Sequence, residues 1–264
     1  MPALLVDSHC HLDRLDLTAI GGDMDGVMQT AREHGVGHML CVSIDMESYP
    51  AMLSLVKQYN HVFASVGVHP NEREGREPSV EELVALAQDS KVVAIGETGL
   101  DYFRNEGDLE WQQERFRRHI AAAKITGKPL IVHTREAKQD TLRLLREEGA
   151  DQVGGVMHCF TEDWETARQA MDLNFYISFS GIVTFNSARE LKEVAARMPA
   201  GRILVETDSP YLAPLPYRGK TNQPAYTRFV AEQIAALRGV SLEEITEITT
   251  SNFFNLFRQA AGNK

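Results

Sequence analysis

Cysteine is scarce in this chain of 264 residues and shows no pairing pattern. There are three cysteines, Cys10, Cys41 and Cys159, and no Cys-x-x-Cys motif. An odd number of widely spaced cysteines does not predict a disulfide framework. We therefore expect free thiols and a reducing, cytoplasmic environment.

Long apolar runs and an excess of basic residues are also missing. No apolar stretch approaches the ~18 residues of a membrane span, and the first residues, MPALLVDSHCH, do not have the pattern of a signal peptide. Acidic residues outnumber basic ones by 37 to 27, which gives a net charge of -10. This balance argues against tracking along a nucleic-acid duplex. Two bound divalent cations would add about four positive charges locally, so a phosphate substrate in a cleft remains compatible with it.

The phosphate-binding motifs GxGxxG and GxxxxGK[ST] do not occur at any predicted strand–helix junction, which weakens nucleotide-binding folds. Instead, eight short apolar runs alternate with helix-length segments. The predicted strands are Ala3–Val6, His38–Ser43, Val62–Val66, Val92–Ile95, Leu130–Val132, Gly155–Met157, Phe175–Phe179 and Ile203–Val205. Such alternation implies parallel strands. Eight repeats in this length favour an α/β fold of the (β/α)8 TIM-barrel class, as a single domain over residues 1–264, rather than an open sheet.

Some helix ends are marked in the sequence. Trp111–Thr126 is charged on one side and apolar on the other, and it is predicted to stop at Gly127. Ser79 and Ser241 are each followed three residues later by glutamate, which is the pattern of a capping box at a helix start.

Polar residues stand where the predicted strands end. Five of the nine histidines close a strand at its carboxyl end, namely His9, His11, His69, His133 and His158. Glu97 follows the fourth strand and Asp208 follows the eighth. The carboxyl ends of all strands meet on the active-site face of a TIM barrel, so these residues would converge. A single histidine at a strand end is more often structural, but scattered structural histidines would not sort to one face.

The alternation of side chains along a strand supports this convergence. It places His9 and His11 on one side and Cys10 on the other, and it places Cys159 opposite His158, which excludes a thiol hydrolase built on that pair. Imidazole nitrogen and carboxylate oxygen suit Zn²⁺, Mn²⁺ or Fe²⁺, and a carboxylate bridges two ions readily, whereas Mg²⁺ prefers oxygen. The set therefore predicts a site for divalent cations.

Further residues near the predicted site have two interpretations each. Asp7 and Glu206 share the alternation of the histidines, so we expect them to orient imidazoles, with a plain structural hydrogen bond as the alternative. Side chains that could hold phosphates are Arg14, Arg104, Arg135, Arg218 and Lys220, and those that could stack on bases are Tyr102, Phe103, Phe160 and Tyr211. For each of them, a solvated surface position or loop packing is the alternative.

Six motifs in order resemble the TatD family of metal-dependent deoxyribonucleases, within the amidohydrolase superfamily. They are DSHCHLD at Asp7–Asp13, GVHP at Gly67–Pro70, GETGLDY at Gly96–Tyr102, HTR at His133–Arg135, HCF at His158–Phe160 and ETDSPYL at Glu206–Leu212. The resemblance extends from Asp7 to about Asn252.

This resemblance implies a TIM barrel with two adjacent divalent ions, of Zn, Mn, Mg, Fe or Ni. It implies that His9, His11 and Asp208 hold one ion, that His133 and His158 hold the other, and that Glu97 bridges them. It also implies that His69 contacts a third metal or the substrate phosphate. We list His69, Tyr102, Arg104, Arg135 and Arg218 as candidate substrate-binding residues.

The implied activity is hydrolysis of phosphodiester bonds, as a 3′→5′ exonuclease on single-stranded DNA or on RNA. Glu97 and Asp208 are the candidate catalytic residues, and Asp208 would act as both metal ligand and general base, with a role as ligand alone being the alternative. The partner would be DNA or another phosphate-bearing molecule, without a membrane, and the chain would be a monomer. An amide- or ester-cleaving hydrolase, for example an aminoacyl-tRNA deacylase, and a non-enzymatic metal-binding protein are the competing hypotheses.

Overall fold

Eight parallel strands form one sheet in the order of the sequence. The computed structural model describes residues 4–20 and 22–261. The strands are β1 Leu5–Cys10, β2 Val36–Cys41, β3 Val62–Val66, β4 Val92–Asp101, β5 Leu130–Arg135, β6 Gly155–Met157, β7 Phe175–Phe179 and β8 Ile203–Val205. A parallel bridge joins Cys10 to Ser209, just after β8, and the His11 N–H donates to Ser209 O at 2.8 Å. These contacts close the sheet, which confirms the TIM barrel.

Four of the eight strands have the predicted bounds, and the others differ at one or both ends. β3, β6, β7 and β8 have the predicted bounds. β4 and β5 are longer than predicted, because the ladder between them continues to the pair Asp101 and Arg135, beyond the last apolar residue. Ala3, in the first predicted strand, lies outside the described residues.

Helices connect the strands around the outside of the barrel. They are α1 Met24–Glu33, α2 Tyr49–Val56, α3 Val80–Leu86, α4 Glu110–Thr126, α5 Lys138–Glu147, α6 Trp164–Asp172, α7 Arg189–Arg197, α8 Thr227–Arg238, α9 Leu242–Leu256 and α10 Arg258–Ala261. The predicted helix before Gly127 is confirmed as α4, and Gly127 ends it with a left-handed φ of 66°. The predicted caps are confirmed too, since the hydroxyls of Ser79 and Ser241 accept backbone N–H groups. Among the described residues, no helix combines the length and apolarity needed to cross a bilayer.

An apolar layer fills the amino end of the barrel. The second residues of six strands pack into one buried cluster, and they are Val6, Phe63, Val93, Ile131, Val156 and Leu204. Phe253 of α9 and Phe257 just after it join this cluster. The barrel is therefore packed at the amino end of its strands, and its polar residues lie at the carboxyl end.

Candidate metal centre

One oxygen of the buried Glu97 carboxylate faces two histidines of β1 and the segment after it. Glu97 Oε2 lies 3.3 Å from His9 Nε2 and 3.9 Å from His11 Nε2. Asp208 closes this group, with Oδ1 3.5 Å from His11 Nε2 and 3.7 Å from His9 Nε2. Asp208 is about 200 positions from His9 and His11 in the sequence, yet the three side chains present their polar atoms to one point.

The other oxygen of Glu97 faces three further histidines. Glu97 Oε1 lies 2.8 Å from His158 Nε2, 3.3 Å from His133 Nδ1 and 3.4 Å from His69 Nε2. One carboxylate thus stands between two groups of imidazoles, with one oxygen directed to each. This is the arrangement that a carboxylate needs to bridge two ions.

Unsatisfied nitrogen atoms support a cation at this place. His158 Nε2 is buried and has no hydrogen bond among the described residues, although it lies 2.8 Å from Glu97 Oε1. His9 and His11 bring their Nε2 atoms to 3.2 Å from each other. Buried polar atoms are normally hydrogen-bonded, and imidazole nitrogens gathered this closely around carboxylate oxygens suit a shared cation. The donor set of imidazoles and carboxylates therefore fits divalent metal ions.

The outer nitrogens of three imidazoles face hydrogen-bond acceptors. These contacts join His11 Nδ1 to Val42 O at 2.9 Å, His133 Nε2 to Asp101 Oδ2 at 2.9 Å, and His158 Nδ1 to Glu206 Oε1 at 3.3 Å. Each outer nitrogen consequently carries the ring proton, and the inner nitrogen keeps its lone pair for a metal.

Two of these acceptors are carboxylates, Glu206 and Asp101, and the sequence predicted only the first of them to orient an imidazole. Glu206 orients an imidazole as expected, and it also accepts the Cys159 N–H at 2.7 Å. Asp101 was missed, although it has the same strand parity as Glu97 and stands in the quoted GETGLDY motif. The alternation used for the other residues would have found it.

The expectation for Asp7 is wrong. Its carboxylate accepts the Thr207 N–H at 2.9 Å and the Thr207 hydroxyl at 2.6 Å, and it contacts no imidazole among the described side chains. The cause is a register shift: Asp7 pairs with Met39 and Cys10 with Cys41, so three steps along β1 match two along β2. Such a bulge shifts the alternation by one residue, and Asp7 and His9 fall on different sides.

Cys159 also departs from the parity argument. β6 ends at Met157, Cys159 has a positive φ of 43°, and Cys159 lines the same cavity as His158. The Sγ atom lies 3.2 Å from Ser180 Oγ. Burial raises the pKa of the Cys159 thiol well above its usual value, which disfavours the thiolate that a nucleophile requires.

Burial and charge act in opposite directions on the carboxylates. Burial opposes the ionisation of Glu97, but His158, His69 and His9 outweigh it and hold the pKa of this carboxyl well below its usual value. The pKa of Asp208 is also lowered, because His11, His9 and His158 overcome the effect of burial. Both groups are therefore carboxylates at neutral pH. For Asp7, burial dominates and raises the pKa to about 7.

The candidate metal centre forms the floor of a cavity of about 630 Å³. Its wall includes Arg135, whose guanidinium lies 3.6 Å from the centre of the Phe103 ring. Tyr211 stands at the rim with about half of its surface exposed, 6.1 Å from the His11 ring. Of the five residues predicted to bind substrate, His69 and Arg135 line this cavity.

The other three residues predicted to bind substrate do not line the cavity. The Tyr102 hydroxyl donates to Asp140 Oδ2 at 2.9 Å, in a contact with α5. Arg104 stacks on Phe103 at 4.8 Å, and Arg218 stacks on Phe185 at 4.5 Å. Sequence position after a strand end did not separate these loop residues from Arg135, because it does not determine where a long side chain points.

The chain is similar to known proteins both in sequence and in structure. The family model described as "TatD related DNase" matches residues 6–258. The metal-dependent hydrolase YcfH of Escherichia coli (strain K12) is 51% identical over 254 residues, which cover 96% of this chain and 95% of the relative. The 3′-5′ ssDNA/RNA exonuclease TatD of Salmonella typhimurium is 32% identical over 241 residues, or 89% of this chain and 93% of the relative. The crystal structure of YJJV, a TatD homolog from Escherichia coli, superposes with a TM-score of 0.89 at 29% identity, covering 96% of this chain and 98% of that one.

Proposed function

We propose a substrate for this chain, which belongs to the family of TatD-related DNases and is a metal-dependent hydrolase. It cleaves phosphodiester bonds of single-stranded DNA from the 3′ end and accepts RNA as well. The observation that carries this proposal is the division of the Glu97 carboxylate between two imidazole groups. A relative at 32% identity is named as an exonuclease on both kinds of strand, which supports the same substrate class.

The six ligand residues divide between two ions in this proposal. His9, His11 and Asp208 would hold one ion, His133 and His158 would hold the other, and Glu97 would stand between them. When bound, divalent ions lower the pKa of water and neutralise charge on phosphate oxygens. A set rich in imidazole favours Zn²⁺, Mn²⁺, Fe²⁺ or Ni²⁺ over Mg²⁺.

Asp208 is proposed as the general base as well as a ligand. Asp208 lines the cavity, and 13% of its side chain is exposed. A carboxylate oxygen of Asp208 is thus available to accept the proton of the attacking water. Glu97 is only 3% exposed, so its role is to hold charge and not to exchange protons with solvent.

The walls of the cavity support a phosphate-bearing chain end as substrate. Arg135 supplies a guanidinium cation that stacks on the Phe103 ring. A guanidinium can donate two parallel hydrogen bonds to one phosphate. Tyr211 offers an exposed ring for stacking on a base. The cavity is closed at its bottom because the amino end of the barrel is packed. A closed cavity accommodates the end of a nucleic-acid strand more readily than its middle. All proposed ligands and Arg135 come from one chain, which supports a functional monomer.

The test uses two single-stranded oligonucleotides of one sequence, with phosphorothioate linkages at either the 3′ or the 5′ end. We expect metal-dependent shortening from the 3′ end that only the 3′ block prevents, and none with the His133→Ala variant. Cutting of circular single-stranded DNA would contradict the exonuclease proposal. No cleavage of DNA or RNA by protein that binds two ions would favour an amide- or ester-cleaving hydrolase instead.

A further inference from the structure

We infer that Asn71 is a positioning residue of the metal centre. Its side-chain amide holds the Asp101 carboxylate in the orientation in which this carboxylate binds His133. In the proposed centre, His133 and His158 are ligands of one ion, called the second ion here. The inference concerns how this ion is held, and it is independent of the kind of bond that the protein cleaves.

The Asp101 carboxylate is fixed by donors at both of its oxygens. Oδ1 accepts the backbone N–H of Phe103 at 3.0 Å. Oδ2 accepts from His133 Nε2 at 2.9 Å and from the side-chain Nδ2 of Asn71 at 2.8 Å. The amide and the imidazole therefore share one oxygen. Without the amide, the imidazole would be the only donor to this oxygen among the described residues, and the carboxylate would set the direction of the ring less firmly.

The direction of the Asn71 amide is fixed by a chain of hydrogen bonds. Arg73 Nη2 donates to Asn105 Oδ1, and Asn105 Nδ2 donates to Asn71 Oδ1 at 2.9 Å. A guanidinium is only a donor and a carboxylate is only an acceptor. Turning over either amide between these two ends would place donor against donor or acceptor against acceptor. The chain therefore has one polarity, from Arg73 to Asp101, and Asn71 Nδ2 must donate to the carboxylate.

The same chain is anchored through the backbone and through α4. The backbone N–H of Asn71 donates to His69 Nδ1 at 3.0 Å, and the His69 N–H donates to Ile44 O at 2.9 Å. Arg73 lies over the ring of Trp111 in α4, 5.4 Å from its centre. The loop after β3 is thus held at two places, and the amide of Asn71 is carried by a fixed backbone.

The acceptors of the other two partnered ligand rings are held by the backbone. His11 faces a backbone carbonyl, and the carboxylate oxygen that faces His158 also accepts the N–H of Cys159. The oxygen that accepts from His133 receives its second hydrogen bond from a side chain instead, that of Asn71. Loss of this side chain should therefore weaken the second ion and leave the other ion unaffected.

The first experiment measures the binding of each ion. Metal-free wild type, Asn71→Leu and His133→Ala are titrated with Zn²⁺ in a calorimeter, and His133→Ala identifies the binding step of the second ion. Leu has the branched shape of Asn but neither donates nor accepts a hydrogen bond. We expect Asn71→Leu to weaken this step by about 10–100-fold, as for other groups that orient a metal-binding imidazole, and to leave the other step unchanged.

Two controls separate this role from a general effect on folding. Asn186→Leu is the same change at another exposed position, outside the chain of hydrogen bonds, and both binding steps should stay as in the wild type. Asn71 is also exposed, so metal-free Asn71→Leu should unfold in urea at the midpoint of the wild type. Weakening of both steps in Asn71→Leu, or of neither, would overturn the inference.

The second experiment observes the imidazole directly at saturating Zn²⁺. The protein is labelled with ¹⁵N-histidine, and the Nε2–H signal of His133 is assigned by its absence in His133→Gln. We expect this proton to be protected from exchange with water in the wild type and its signal to be lost through exchange in Asn71→Leu. An unchanged signal in Asn71→Leu would contradict the inference. Neither experiment uses a nucleic acid, so the result stands or fails separately from the proposed function.

Discussion

The side-chain amide of Asn222 donates a hydrogen bond of 2.8 Å to the backbone carbonyl of Thr207, the residue immediately before Asp208. The same amide donates to Tyr211 O at 2.6 Å, and Asn222 is completely buried. From the other side, Asp7 accepts two hydrogen bonds from Thr207. Asp208 itself has a left-handed φ of 57°, which a residue other than glycine adopts only when its surroundings hold it.

Replacing Asn222 should therefore disturb Asp208 through the backbone. Asn222→Asp has almost the same shape but cannot donate to either carbonyl. We expect metal affinity and kcat to fall by about 10–100-fold, as for other groups that orient ligands. Metal titration and steady-state kinetics measure both. Asn255→Asp, the same change at an exposed position of α9, is the control. Unchanged metal affinity in Asn222→Asp would show that the turn does not depend on this amide.

Asp208→Asn separates the ligand role from the role as base. The amide oxygen still contacts a cation but does not accept a proton, so metal content should be partly kept while kcat falls by about 10²–10⁴. Metal analysis and turnover are measured on one sample. Turnover at the rate of the wild type would exclude Asp208 as the base.

Arg135→Met tests the proposed phosphate contact. A hydrogen bond to a charged group contributes about 1.5–3 kcal/mol, so kcat/KM on an oligonucleotide should fall by about 10–100-fold. Arg104→Met is a close control, because Arg104 stacks on the same Phe103 ring but does not line the cavity. Equal losses in both variants would indicate that packing on Phe103 matters, and that the charge of Arg135 does not.

Asp163, which does not line the cavity, links stability to pH. Its pairing with Lys138 and its capping bond to the Thr166 N–H lower its pKa from 3.8 to about 2. A carboxyl whose pKa is lowered on folding stabilises the folded state at pH values above its unfolded pKa. This contribution is lost as the pH falls from about 4 through 2. Asp163→Ala should cost about 1 kcal/mol at pH 6 through loss of the cap. Urea unfolding at pH 6 and pH 2.5 checks this, and an equal cost at both pH values would contradict it.

The sequence predicted the barrel and the convergence of the histidines because both depend on short-range periodicity. Apolar runs mark strands, and parity within a strand gave the correct side for His133 and His158. Parity failed where the backbone is irregular, at the bulge after Asp7 and at the positive φ of Cys159. Asn222 was not found, because it is not at a strand end and its role depends on a contact that only the folded loop creates.

The most direct test removes and restores the metal while cleavage is followed. The protein is stripped with a chelator, titrated with Mn²⁺ or Zn²⁺, and assayed on a single-stranded oligonucleotide labelled at its 5′ end. We predict that cleavage returns as two ions bind per chain and that His133→Ala regains neither the second ion nor activity. Cleavage by the stripped protein, or by His133→Ala at the rate of the wild type, would contradict the two-metal account.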